Sequence, residues 1–331
     1  MFEINYHENY TFFKTYKGFR LLGGGGSDFE IPDFEEVRNE FQIKDTEKYR
    51  KPAQAKFSSI MDLLNGFIHD GIIGSYKQAE FPLMHQNLEN IQDLIHPPKS
   101  IIILDRGYNA MELYAHIMSM NSYFIVRLKD KSYIDDRYEI TENDAEIELE
   151  LTKERLKKFN NKHLKEKYSK EKHLKLRILK ITLENGTIEY LLTNILDKNF
   201  TIEDFNELYN LRWGIETNYN TLKNRLNIEN YTGKRKITIE QDIYSKFIKY
   251  NIFQYYKNYF NLLINRVKRQ KRNKTRIQSQ SSTLNTKTQK ILAHNDSKSY
   301  KRNNKELYEK INRFLHTIAK QRHQKSNNDQ K

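Results

Sequence analysis

The stretch Tyr209–Lys223 reads YNLRWGIETNYNTLK, and the reading of the whole chain turns on it. At roughly 100° per residue in an α-helix, Tyr209, Arg212, Glu216 and Lys223 fall within about one sixth of a turn of each other. Leu208, Leu211, Ile215, Leu222 and Leu226 form a separate apolar stripe roughly a quarter turn away. The spacing predicts one helix that buries one flank. The adjoining flank presents an aromatic, two cations and a carboxylate to a charged ligand. On spacing alone Arg212 and Glu216 read equally well as an ordinary i to i+4 surface pair, worth a few tenths of a kcal/mol.

Working outward, Thr201 followed by Asp204 gives the helix a capping-box-like start. Downstream, residues 239–267 form a long helix rich in tyrosine and phenylalanine, whose aromatics read as core packing. A basic run then holds Arg266, Lys268, Arg269, Lys271, Arg272, Lys274 and Arg276. Gln- and Ser-rich text to about residue 299 has the composition of a disordered linker, and a final helix is predicted over Asn304–His323.

Upstream, Ser100–Tyr108 reads SIIILDRGY. Four consecutive branched apolar residues mark a strand buried on both faces, with Asp105 at its C-terminal end. Taken alone, Asp105 reads as a cap for the helix in residues 109–120. Nearer the start, KGFRLL reads as a strand entry and runs into Gly23, Gly24, Gly25, Gly26, Ser27 and Asp28. Four glycines weaken a strand by about 0.5 to 1 kcal/mol each relative to alanine, and GGGGS is also the composition of a flexible linker. A phosphate-cradling loop is disfavoured because no GK[ST] follows.

Residues 53–76 mix strand and helix signals. Residues 80–95 read as a helix with Met84, Leu88, Ile91 and Ile95 on one side, stopped by His96, Pro97 and Pro98. Residues 122–130 read as a strand. Residues 140–152 and 174–196 alternate in strand fashion, with a hairpin turn at Glu184, Asn185 and Gly186, and the text between them is lysine-rich and polar.

Among the 331 residues, 57 lysines and arginines oppose 43 acids, a formal charge of +14. The balance favours a polyanionic partner, nucleic acid first. No stretch approaches the roughly 18 apolar residues of a membrane span, and the start shows no secretory pattern. The absence of cysteine excludes disulfides and thiolate metal sites and points to a cytoplasmic protein. The ten histidines show no HxxxH spacing, which argues against a hydrolase built on a histidine metal site.

The order Tyr209, Arg212, Glu216, Lys223 resembles the Y-R-E-K signature of DDE transposases of the insertion-sequence-4 family. The text over Ile228–Asn251 resembles that family's continuation, and the likeness covers roughly residues 17 to 255. It implies an α/β fold: an RNase H-like mixed-sheet core, a β-rich insertion before the Glu helix, and a basic helical C-terminal extension. Residues 53–76 would supply strands two and three of that core. The expected layout is a first part of the core over 1–130, the insertion over 131–198, the Glu helix and core-completing helices over 199–265, and the basic linker and last helix over 266–331.

By the same resemblance Asp105 and Glu216 are catalytic carboxylates and metal ligands, while Tyr209, Arg212 and Lys223 contact the phosphates of the transposon end. The cofactor implied is a pair of Mg²⁺ (or Mn²⁺) ions, with the first Asp touching both, the second Asp one and the Glu the other. The partners implied are DNA, as transposon ends and target, and a second copy in a homodimer on paired ends. The activity implied is cut-and-paste transposition by two-metal hydrolysis and strand transfer.

Two departures stand out. Aligning Gly26 and Ser27 with the family's Gly-Ser puts Gly25 where the first catalytic Asp belongs. Asp28 is the nearest substitute, but it lies an odd number of residues away, on the opposite face of a continuous strand, so its use requires a bulge or turn. The family's helical end-recognition domain also has no counterpart before Gly25, so the chain resembles an N-terminally truncated product. The alternative reading is a catalytically inactive DNA-binding remnant.

Overall fold

The computed structural model describes residues 13–92, 100–129, 142–183, 186–224 and 226–280. The chain divides into two compact units, Met1–Leu263 and Ile264–Lys331. The first holds the sheet described below. The described part of the second is the C-terminal end of the last helix.

The glycine tract is not a linker. It lies inside an eleven-residue strand, β1 (Arg20–Glu30). Two neighbours hold it there. β2 (Gln54–Asp62) runs antiparallel in unbroken register from Leu22 opposite Asp62 to Glu30 opposite Gln54. β4 (Ser100–Leu104) pairs in parallel, from Arg20 opposite Ser100 to Gly23 opposite Ile103. β2 pairs with all four glycines and β4 with Gly23, and these ladder hydrogen bonds offset the conformational entropy of the tract. β4 is fully buried, as four consecutive apolar residues require.

β3 (Ile68–Gly74) pairs antiparallel with β2, and β5 (Tyr123–Arg127) pairs in parallel with β4. The first five strands therefore lie in the order 3-2-1-4-5 with β2 alone reversed, the arrangement of an RNase H-like core. The sheet does not stop there. β8 (Ile188–Thr193) joins β5 antiparallel, β7 (His173–Thr182) joins β8, and β6 (Asp144–Glu150) closes the far edge. The strands between the core and the Glu helix thus extend one eight-stranded sheet rather than form a separate β subdomain. At the β7–β8 hairpin, Leu183 N–H bonds to Thr187 C=O at 2.9 Å and Gly186 takes a φ of +80°. Glu184 and Asn185 lie outside the described residues.

Seven helices besides the last are described. One face of the sheet packs against α2 (Glu80–Ile91), α3 (Met111–Ser119) and α5 (Lys162–Ser169), with α4 (Lys153–Lys157) beside them. Within the polar text at 153–173, residues 153–157 and 162–169 are helical, with Thr152 and Asn161 as N-caps, and His173 opens β7. The other face packs against α1 (Glu35–Glu40), α6 (Ile202–Asn210), α7 (Trp213–Asn224) and the long helix α8 (Lys236–Gln280). α8 starts before residue 239 and carries the run 266–276 as helix. The expected linker to residue 299 begins with helical text, and from residue 281 onward, including 304–323, the chain lies outside the described residues. So do residues 93–99, which contain Ile95 and the stop at His96–Pro98.

The predicted single helix over Tyr209–Lys223 is corrected to two. Between α6 and α7 the bonds tighten to i−3: Arg212 N–H to Tyr209 C=O at 3.0 Å, Gly214 to Leu211 at 2.9 Å and Ile215 to Arg212 at 2.9 Å. The break has a packing cause. α6 buries Leu208 and Tyr209 against β4, β5, β7 and β8, whereas α7 buries Ile215, Tyr219 and Leu222 against β1 and β2. One straight helix cannot serve both clusters, and a tighter turn changes the rotation per residue.

Candidate active site

Parallel pairing of β1 with β4 sets the site. Two residues beyond the Gly23–Ile103 pair stand Gly25 and Asp105, so the register brings both to one level at the C-terminal end of β4. α7 lies across this face, with Ile215 against β1 and Glu216 next in sequence. Three distant stretches of sequence thus converge. Asp105 is half-buried and accepts a 2.6 Å hydrogen bond from Gly107 N–H, capping the 3₁₀ turn Arg106–Tyr108. Gly107 permits this fold-back, since a Cβ there would stand 2.8 Å from the carboxylate oxygen. The capping role and a place at the site coexist in this residue.

Asp28 does not join it. The β1–β2 register has no bulge between Gly25 and Asp28, so the two face opposite ways. Gly25 faces Ile215 and Tyr219 of α7, while Gly26, in phase with Asp28, faces Glu80 of α2. The Asp28 carboxylate is engaged by Lys56 at 2.7 Å.

Of the four signature residues, Arg212 and Glu216 are in contact, Nη1 to Oε1 at 3.1 Å. The Glu216 side chain is 46% exposed and that of Arg212 only 14%, so the carboxylate faces outward and the guanidinium is tucked beneath it. Arg212 stacks on the rings of Tyr209 and Trp213, at 5.8 and 5.5 Å to their centroids. Its Nε is buried without a hydrogen-bond partner. Tyr209 is not the presented aromatic that helical spacing predicted. It is 9% exposed, because the turn at Leu211–Arg212 rotates it into the α6 core, and burial raises its phenol pKa. The exposed ring is Trp213, at 61%. Lys223, two turns along α7, donates to Asp28 C=O at 2.6 Å and lies 3.7 Å from Glu229.

Tyr219, which the signature omits, is central. Its hydroxyl donates to Gly25 C=O at 2.7 Å and lies 2.8 Å from Ser59 Oγ, the residue opposite Gly25 in the ladder. Burial pushes its pKa well above the ordinary tyrosine value, so it stays a neutral phenol. Glu80 is another residue that spacing did not reveal. Its carboxylate lies beside Gly26 and accepts from Tyr108 Oη at 3.3 Å. After burial, Glu80 and Asp105 both help to raise the phenol pKa values of Tyr108 and Tyr219. No sequence period links Glu80 to Gly26 or Asp105, and only the fold brings them near each other.

Carboxylate oxygens suit Mg²⁺ and Mn²⁺. The residues present do not fit a pair of such ions. The position that would bridge both is a glycine, and among the described residues no three carboxylate or histidine side chains gather as a metal-holding group.

A family model described as "Transposase DDE domain" matches residues 13–252, well over half of the chain. No individual curated protein matches. Among solved structures, similarity is found to one described as a cryo-EM structure of a piggyBac transposase synaptic complex with hairpin DNA. The TM-score is 0.43 and the identity 9%, over 72% of this chain and 47% of that one. The match thus spans about half the length of that relative.

Proposed function

We propose that this chain, which belongs to the transposase DDE domain family, acts in DNA transposition as a DNA-binding protein that does not itself cut the phosphodiester. The observation that carries this reading is the β1–β4 register, which puts a glycine level with Asp105 under α7. Cutting DNA and rejoining its 3′-hydroxyl requires an activated oxygen nucleophile and stabilisation of the pentacovalent charge and the leaving oxygen. In the family, divalent ions held by three carboxylates supply that chemistry. Here one corner has no donor.

The chain's own side chains are left to bind and orient. Arg212 offers the phosphate a charge-assisted hydrogen bond from a guanidinium held by two aromatic rings. Tyr209 acts through Arg212 from within the core, and Lys223 adds a cation two turns along. Phosphate contacts position DNA without reading its sequence. The formal charge of +14 supplies sequence-independent attraction. Two copies on paired ends is the assembly that the resemblance implies, to be read from light scattering of the DNA complex.

The second reading is a cut-and-paste transposase using two Mg²⁺ or Mn²⁺ ions; Glu80 is the observation in its favour, a carboxylate on the Gly26 face of β1 whose charge still helps to raise the pKa of Tyr219 on the other face. Both readings are tested with the full chain and a supercoiled plasmid carrying the genomic flanks of its coding sequence. The first predicts duplex binding of equal strength in Mg²⁺ and in EDTA, with no nicked product. Mg²⁺-dependent nicking that disappears in Glu216→Ala and in Glu80→Gln would establish the second and end the first.

A further inference from the structure

The layers on both sides of β1 close onto its glycines. A Cβ on Gly23 would stand 2.6 Å from Cδ1 of Ile215 and 2.7 Å from Leu63, and one on Gly24 would stand 2.5 Å from Leu104. On Gly25 it would meet Cγ2 of Ile215 at 3.0 Å and the hydroxyl of Tyr219 at 3.5 Å. Ile215 and Tyr219 are themselves 2% and 6% exposed, so neither has free space to retreat into. Tyr219 is pinned at its far end by Gly25 C=O and Ser59 Oγ, and its ring packs edge-on to Phe57 at 5.7 Å.

We infer that the position of the missing carboxylate is closed: Ile215 and Tyr219, from the helix that carries Glu216, fill the space above Gly25. An aspartate at 25 needs room for a carboxyl group beyond the Cβ that already crowds Ile215. It gains that room only by displacing Ile215 and Tyr219, and with them the helix α7 that carries Glu216. Electrostatics adds to the crowding. The single phenol proton goes to Gly25 C=O and the Ser59 hydroxyl supplies the second bond, so Tyr219 presents an oxygen lone pair to any side chain at 25. The glycine is therefore matched by its neighbours, and Gly25→Asp alone does not re-arm the chain. This inference rests on the reading of a non-cleaving protein and says why it stays one.

The test is a double-mutant cycle on the full chain, Gly25→Ala against Ile215→Ala, read from thermal unfolding midpoints. Alone, Gly25→Ala is expected to lower the midpoint by about 2–8 °C. In the Ile215→Ala background the same substitution is expected to lower it little or raise it. Ile215→Leu, which removes the branching Cγ2 but keeps volume, replaces Ile215→Ala if that variant does not fold. Manganese binding, followed by electron paramagnetic resonance, is expected to be no greater in Gly25→Asp than in the unmodified chain. Additive midpoints, or a gain of Mn²⁺ binding in Gly25→Asp by itself, would overturn the inference. Neither result depends on whether the unmodified chain nicks DNA, so the two readings fail separately.

Discussion

Arg212 is where the competing readings of the signature can be separated. As a surface partner for Glu216 it would contribute only a few tenths of a kcal/mol to stability. Its surroundings argue for more, since the side chain is largely covered, stacked on two rings and left with an unpartnered Nε. A guanidinium held this way loses little further entropy on meeting a phosphate. We expect Arg212→Ala to weaken duplex binding about tenfold and to lower the salt slope by about one, for all sequences alike. Glu216→Gln, which removes a charge of the same sign as DNA, should bind at least as well as the unmodified chain. Fluorescence anisotropy at two salt concentrations reads both. Unchanged affinity in Arg212→Ala would return Arg212 and Glu216 to the status of a surface pair. The spacing of these two residues is legible in sequence because i to i+4 contact is a local property of helices. The burial of Tyr209 is not, since it depends on a tight turn imposed by two separate cores.

Among the elements, α2 and α3 are joined by a pair of imidazoles, buried His116 and half-buried His85. His85 and His116 stack at 5.0 Å with their Nδ1 atoms 2.8 Å apart, a bond that holds one proton between two nitrogens. Burial holds both pKa values down to about 4; for His116 the neighbouring His85 adds to this and Glu112 opposes it. Unfolded, each ring takes its proton near pH 6.5. Between about pH 6.5 and 4 the unfolded chain therefore binds more protons than the folded one. The stability due to the neutral pair is complete above this window and is lost as pH falls through it. His69, held to about 3 by burial and then Arg20, contributes in the same direction. Urea midpoints at pH 7 and 4.5 should differ less in His85→Leu/His116→Leu than in the unmodified chain. An equal fall in both would show that the pair does not drive the slope. Elements with local signals were legible, as the Thr201–Asp204 capping box shows. β1 was legible only in part: KGFRLL reads as a strand entry, but its glycines read equally as a linker until β2, joined at Gly23 by β4, supplies their hydrogen bonds.

At the scale of the molecule, one continuous sheet places the site. β1 and β4 deliver two positions at one level, the sheet runs on through β5, β8, β7 and β6, and β8 leads into the chain that enters α6. Arg177 fixes that entry. It is 1% exposed, grips Asp144 of β6 by two bonds of 2.7 Å, and donates to the carbonyls of Asp197 and Phe200. Asp105 and Glu216 stand out in the sequence as candidates because short motifs surround them. The closure over Gly25 does not, since it arises where β1, β2 and α7 meet, far apart in the chain. The most direct measurement is electron paramagnetic resonance of the DNA-bound full chain titrated with Mn²⁺. The account predicts no spin-coupled pair of ions and no tight site that is lost in both Asp105→Asn and Glu216→Gln. Two coupled ions per chain, abolished by either substitution, would contradict it.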